Sequence, residues 1–225
     1  MRIGLFGGTF NPVHMGHLNV AKEVKDGFPL DKVIFFPSAI PPHKITESVV
    51  SAEDRLHMLR IAISSHPEFS TAFDISDIEL KRVGPSYTID TVNDYQSKMS
   101  GNNQLYLIMG IDAFFEIDTW KSFQDLFYTI SFIVMPRPKT DNNFDGNNLD
   151  KVKQFIYKNI SSDYTYSPSE KKFHHPKNKD IFIYDVTPID ISATKIRGLI
   201  KKGIPLQSML PPGVEEYIRT KGLYR

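Results

Sequence analysis

An α/β architecture, with a Rossmann-like, doubly wound and mostly parallel sheet flanked by helices, is what this sequence of 225 residues predicts. Three observations carry the expectation. Short apolar runs recur with little period-two alternation, as in strands covered on both faces. Helix-patterned segments separate them, the alternation of a parallel sheet. A glycine-rich turn follows the first run directly, where such a sheet enters its first helix.

The candidate strands, in order, are 2–6, 33–36, 105–109, 131–135 and 181–186. The first helix spans about 16–27, and a second follows Ser51, where "SAED" reads as a capping box before "RLHMLRIAI". A third follows "PSYT", and a short one lies near "AFFEI". From about 139 to 180 the chain turns polar and reads as an excursion with one helix, "KVKQFIYKNI". The paired His174 and His175 in it read as a solvated loop. The end, "LPPGVEEYIRTKGLYR", reads as a last helix with proline at its start and Gly222 at its stop. The whole, 1–225, is expected to be a single domain with that excursion and a helical C-terminal end.

Composition narrows the function. A net charge of +1 gives no global electrostatic case for nucleic acid or an acidic membrane. The absence of cysteine removes thiolate metal sites and cysteine nucleophiles. No run resembles a signal peptide or a membrane span, so a cytoplasmic location is expected.

The chemistry points to two segments. In "GGTFNPVHMGHL", Gly7 and Gly8 follow the first strand and let backbone amides approach a ligand, while His14 and His17 lie at the start of the helix. Both imidazoles can then face one anion as donors and, when protonated, as cations. A tight turn with two capping histidines is the plainer alternative. In "ISATKIRGLI", Ser192 can cap a helix, Thr194 lies in its first turn, and Lys195 and Arg197 are its cations. An ordinary capped amphipathic helix is the alternative there. Weaker signals are the stiff "PSAIPPHK" with His43 and Lys44, the amides near "PSYT", and Gly110 and Asp112 after a strand. Trp120 is the single tryptophan, a packing residue or a platform for an aromatic ring.

"GGTFNPVHMGHL" resembles the signature of the small adenylyl- and cytidylyltransferases. Together with "PPHK", "RLHML", "ELKR", "PSYT", "MGIDAF", "TW", "RP", "ISATKIR" and "YIRTKGLYR", it makes the chain similar, over nearly its whole length, to bacterial nicotinate-nucleotide adenylyltransferases. The resemblance implies adenylyl transfer from ATP to nicotinate mononucleotide in NAD biosynthesis, giving deamido-NAD and pyrophosphate, with Mg²⁺ accompanying ATP. It implies a catalytic set of His14, His17 and Arg197. It places Gly7, Gly8, Thr9, Phe10, Gly110, Asp112, Arg137, Ser192 and Thr194 at ATP. It places His43, Lys44, Thr88, Trp120 and Lys121 at the acceptor, Trp120 stacking on the pyridine ring. Small-molecule substrates are the expected partners, with self-association into a homo-oligomer left open. The relatives usually carry aspartate where this chain has Asn11. The residues alone leave other readings open: a phosphopantetheine adenylyltransferase, a metal-dependent hydrolase using His14, His17, His43 and Asp112, or a non-catalytic nucleotide sensor.

Overall fold

The computed structural model describes residues 1–39, 49–99, 101–136 and 146–225. Its elements begin with β1 (Arg2–Gly8), α1 (Met15–Gly27), β2 (Lys32–Pro37), α2 (Ala52–Ser64), α3 (Pro67–Ala72) and β3 (Phe73–Ile75). Next come α4 (Thr88–Lys98), β4 (Gln104–Gly110), α5 (Ile111–Phe114), a 3₁₀ turn (Ile117–Thr119), α6 (Phe123–Thr129) and β5 (Ser131–Met135). The remainder is α7 (Gly146–Phe155), a π-turn (Ile156–Ile160), β6 (Thr165–Ser167), β7 (Lys172–His174), β8 (Ile181–Ile183), α8 (Ala193–Lys201) and α9 (Pro212–Lys221). The fold is α/β with mostly parallel strand pairs and helices between them, as the alternation predicts. The chain divides into two compact units: Met1–Phe6 with Tyr87–Pro188, and Gly7–Ser86 with Ile189–Arg225.

In the first unit, β1 runs parallel to β4, with Arg2 opposite Gln104 and Phe6 opposite Ile108. β4 pairs in parallel with β5, and β5 with β8. Leu105 to Met109 and Phe132 to Met135 are buried without interruption, which is why their sequences do not alternate. Phe127 stacks on Phe132 with ring centroids 4.5 Å apart and meets Phe114 edge-on at 6.4 Å. These rings anchor α5 and α6 to the strands.

The polar excursion is more ordered than its composition predicts. Its described part carries α7, the π-turn and two strands, β7 and β6, that extend β8 antiparallel. Val152, Ile156, Tyr164 and Phe173 are buried. An antiparallel extension keeps one face in water, so a few well-placed apolar residues hold it in an otherwise polar stretch. The expected solvated loop at the histidine pair is corrected. His174 is exposed and pairs with Asp180 at 2.9 Å, but His175 is buried. Its Nδ1 accepts the N–H groups of Lys177 and Asn178, at 3.0 and 2.9 Å, so its proton sits on Nε2, 3.1 Å from Ser161 Oγ. β8 also ends at Ile183 rather than 186, and Asp185 is drawn to Lys171 at 2.8 Å.

In the second unit, β2 and β3 run parallel from Val33 opposite Phe73 to Phe35 opposite Ile75. Phe35, Phe69 and Phe73 form a contiguous aromatic cluster. α2 starts where "SAED" predicts: Ser51 Oγ accepts from Asp54 N at 3.0 Å and donates to the Asp54 carboxylate at 2.7 Å. α9 begins at Pro212 and stops at Gly222, whose φ of 64° suits a residue without Cβ. Gly213 lets α9 approach α2, since a Cβ there would lie 2.7 Å from Ile61 Cγ2.

Candidate active site

Within the second unit, the end of β1 turns through Thr9–Val13 into α1. Gly7 is required by packing: a Cβ on it would clash with the Phe36 ring, and one on Gly8 would lie 2.9 Å from Phe10 Cζ. Phe10 itself is buried with φ 48°, a left-handed conformation uncommon for a residue carrying Cβ. Its ring meets His17 edge-on at 5.1 Å.

His14 caps α1 in an extended conformation, and His17 occupies the first turn. The two rings stack with centroids 3.7 Å apart and planes inclined by 27°. His17 Nδ1 accepts the His14 N–H at 3.3 Å, which leaves the neutral ring's proton on Nε2 as a donor. Burial pushes the His14 imidazolium down to about 4, and burial followed by the neighbouring His14 charge holds His17 well below its ordinary range. At neutral pH both rings are therefore hydrogen-bonding groups without charge, and the cationic contribution the sequence allowed is absent in the unliganded protein. His14 Nδ1 is buried and has no protein partner among the described residues. Gly16, between the histidines, is fitted into this corner: a Cβ on it would lie 3.0 Å from His14 Nδ1 and 3.6 Å from Ile191 Cβ.

The Ile191 contact brings in the second segment. Ser192 caps α8 by accepting from Lys195 N at 3.2 Å. Arg197 Nη1 donates to Asn11 O at 2.9 Å, and Nη2 donates to Thr194 Oγ1 at 3.3 Å. The turn after β1 and residues 191–197 thus converge within one unit, as the two-motif reading requires. Lys195 is turned aside to Asp190 at 2.6 Å. Thr194 and Arg197 line an open cavity of about 800 Å³, together with the cations Lys201 and Arg225. Asn11 is buried, and its Oδ1 accepts from Tyr224 O–H at 2.8 Å and Val50 N at 3.2 Å. At this position the side chain ties three segments together.

The first unit gathers the expected acceptor residues Thr88, Trp120 and Lys121. Thr88 is the first residue of α4; Tyr87 is the N-cap and provides no side-chain cap. Trp120 closes the 3₁₀ turn and is half-buried. Lys121 Nζ lies 3.2 Å from the Asp90 carboxylate of α4 and 4.5 Å above the Tyr87 ring. The turn after Trp120 is thereby tied to the start of α4. Ser122, next in line, takes φ 48°, a left-handed conformation at the N-cap of α6. Gly110 caps α5 with open space where its Cβ would be, and Asp112 is exposed in the following turn. His43, Lys44 and Arg137 lie outside the described residues. Among the described residues, no group of three or more His, Cys, Asp or Glu is placed to hold a metal ion.

The chain matches the cytidylyltransferase-like family over residues 5–199. It is 40% identical, over the full length of both chains, to a protein of Desulfatibacillum aliphaticivorans named "Probable nicotinate-nucleotide adenylyltransferase". A protein of the same name from Geobacter sulfurreducens is 35% identical, with 100% of this chain and 98% of that one covered. The chain belongs to the nicotinate-nucleotide adenylyltransferase family. Its fold is also that of the Plasmodium falciparum nicotinic acid mononucleotide adenylyltransferase complexed with NaAD. That match has a TM-score of 0.71 at 18% identity, covering 99% of this chain and 97% of that one.

Four features of the two units are not legible in the motifs themselves. These are the left-handed Phe10, the left-handed Ser122, the Asn11–Tyr224 bond and the buried Arg55 of α2. Two of the four residues left a sequence signal, Arg55 as the arginine of "RLHML" and Asn11 as a departure from the usual aspartate. The backbone outliers leave none, because no residue type marks a left-handed Phe or Ser.

Proposed function

We propose that this chain transfers the adenylyl group of ATP to nicotinate mononucleotide, forming deamido-NAD and pyrophosphate. A phosphate oxygen of the acceptor attacks the α-phosphorus of ATP, and the bond from that phosphorus to the bridging oxygen breaks in line. The pair of electrons leaves with pyrophosphate, so no protein nucleophile is needed. The observation that carries the reading is the convergence of the histidine turn and the start of α8, joined by Arg197 and Asn11.

In this reading the second unit holds the triphosphate. The main chain of Gly7, Gly8, Thr9 and Phe10 lines the nucleotide. His17 Nε2–H and His14 donate to phosphate oxygens, and Ser192, Thr194 and Arg197 bind the departing pyrophosphate. The buried Nδ1 of His14, which has no partner among the described residues, is a group that a ligand can satisfy. Two neutral donors suit a site that must bind a tetraanion and then release a product. A charge-assisted hydrogen bond is worth about 1.5–3 kcal/mol. Orienting two reactants is worth about 7–11 kcal/mol. Positioning therefore dominates.

In the same reading Trp120 serves the pyridine ring, main-chain groups at Thr88 and Lys121 serve its carboxylate, and the resemblance gives Gly110 and Asp112 to ATP. Donors facing a carboxylate favour the acid, because an amide would turn its own NH₂ toward them. His43 and Lys44 at the acceptor and Arg137 at ATP rest on resemblance alone. Mg²⁺ would accompany the phosphates of ATP and would supply charge neutralisation there. The described residues offer it no cage of three ligands, and no step here runs through it. No described helix is long and apolar enough to cross a membrane, and we place the reaction in the cytoplasm.

Pyrophosphate release from ATP, measured with nicotinate mononucleotide and separately with nicotinamide mononucleotide, tests the proposal. Turnover at least tenfold faster with the acid is expected. Silence with both acceptors would overturn it.

A further inference from the structure

Arg55 is 1% exposed and spends its guanidinium on main-chain carbonyls. Nη1 donates to Thr9 O at 2.8 Å, Nη2 to Ala39 O at 3.0 Å and Nε to Val50 O at 3.3 Å. A guanidinium taken out of water is costly, and an apolar side chain would fill the same volume at less cost. The charge of Glu79, itself buried, partly offsets that cost. What an apolar residue could not do is fix three carbonyls in one fork, nor could lysine, whose single ammonium cannot span them.

Of the three, Thr9 O bears on the chemistry. The Thr9–Phe10 peptide plane sets the φ of Phe10, which lies at 48°. A donor on Thr9 O therefore holds Phe10 in a conformation it would not otherwise favour. The buried Phe10 ring in turn lies 5.7 Å from Phe35 and 5.1 Å from His17, meeting the imidazole edge-on. We propose that Arg55 is a positioning residue: through the Thr9 carbonyl and the Phe10 ring it fixes the orientation of the His17 imidazole. Arg55 acts here without touching substrate. The inference rests on the reading that His17 Nε2–H meets the phosphates, and it adds the device that aims it.

The experiment compares wild-type protein with Arg55→Lys and Phe10→Leu. Arg55→Lys is expected to lower kcat at least tenfold at saturating ATP and acceptor, with the acceptor KM changed less than twofold. Phe10→Leu, an apolar replacement in an apolar position, is expected to lower kcat in the same way. The double variant should lie within threefold of the worse single one, because both act on one path. The second readout is independent of turnover: ¹⁵N spectra of the histidine side chains at pH 7. Wild-type His17 should show a single neutral form with the proton on Nε2, and both variants should show averaging toward a free imidazole. A folded Arg55→Lys with lowered Tm but wild-type kcat and His17 signals would mean a purely structural arginine and overturn the proposal. If Arg55→Lys does not fold, Phe10→Leu decides on the same two measures. Wild-type protein inactive with every acceptor would sink the functional reading instead, and the His17 spectra would still decide this one.

Discussion

His14 shows what burial does to a group whose position was legible from spacing. "HMGH" places two imidazoles at a helix start, and both are there, but their charge state depends on neighbours the motif does not name. With His14 held at about 4 when folded, against an ordinary 6.5, the unfolded chain binds a proton between those values that the folded chain refuses. Stability therefore rises with pH through this window. It is complete above 6.5 and lost as pH falls toward 4, by up to about 3 kcal/mol for this group. His17 is displaced in the same direction and adds to the slope. Thermal unfolding from pH 7 to pH 4.5 should show a falling Tm, and His14→Gln should flatten the dependence. An unchanged slope in that variant would exclude His14 as its source. Asn11 carries a similar lesson. Its identity was visible as a departure from the relatives, whereas its service to Tyr224 and Val50 was not.

At the scale of elements, termini were read better than interiors. Ser51, Ser192, Pro212 and Gly222 stand where caps and stops need them, because capping is local chemistry between residues three or four apart. Ser192→Ala should cost about 1 kcal/mol by removing the acceptor for Lys195 N. On the proposed function it should also weaken ATP binding severalfold while leaving acceptor KM unchanged. Equal loss for both substrates would argue that the cap serves the fold alone. The elements that escaped notice are short: α3, β3, α6, β6 and β7. Three-residue strands have no period to detect, and they exist because a neighbouring strand pairs with their backbone. The polar composition of 165–174 concealed Phe173, whose burial depends on β8 lying beside it.

Across the molecule, neither compact unit is a continuous stretch of chain. The second unit closes only when its last 37 residues, 189–225, return to residues 7–86. Tyr217 reaches Asp54 at 2.7 Å, Tyr224 reaches Asn11, and Arg197 reaches the Asn11 carbonyl. Removing residues 212–225 strips away the buried Val214, Ile218 and Tyr224. At about 1.5–3 kcal/mol for each large apolar side chain, that loss rivals the whole stability of a typical domain. The truncated chain should unfold at a clearly lower urea concentration by circular dichroism. A midpoint shifted by less than about 0.3 M, given usual urea slopes, would show that the C-terminal helix is dispensable.

Strand–helix alternation, helix caps and the motifs around residues 7–17 and 191–197 were all present in the sequence, since each is set by residues close together along the chain. The meeting of Arg197 with Asn11, the neutrality of the histidines, the left-handed Phe10 and the fork of Arg55 were decided by tertiary structure alone. Desolvation and hydrogen bonding between distant segments have no value until the chain has closed around them.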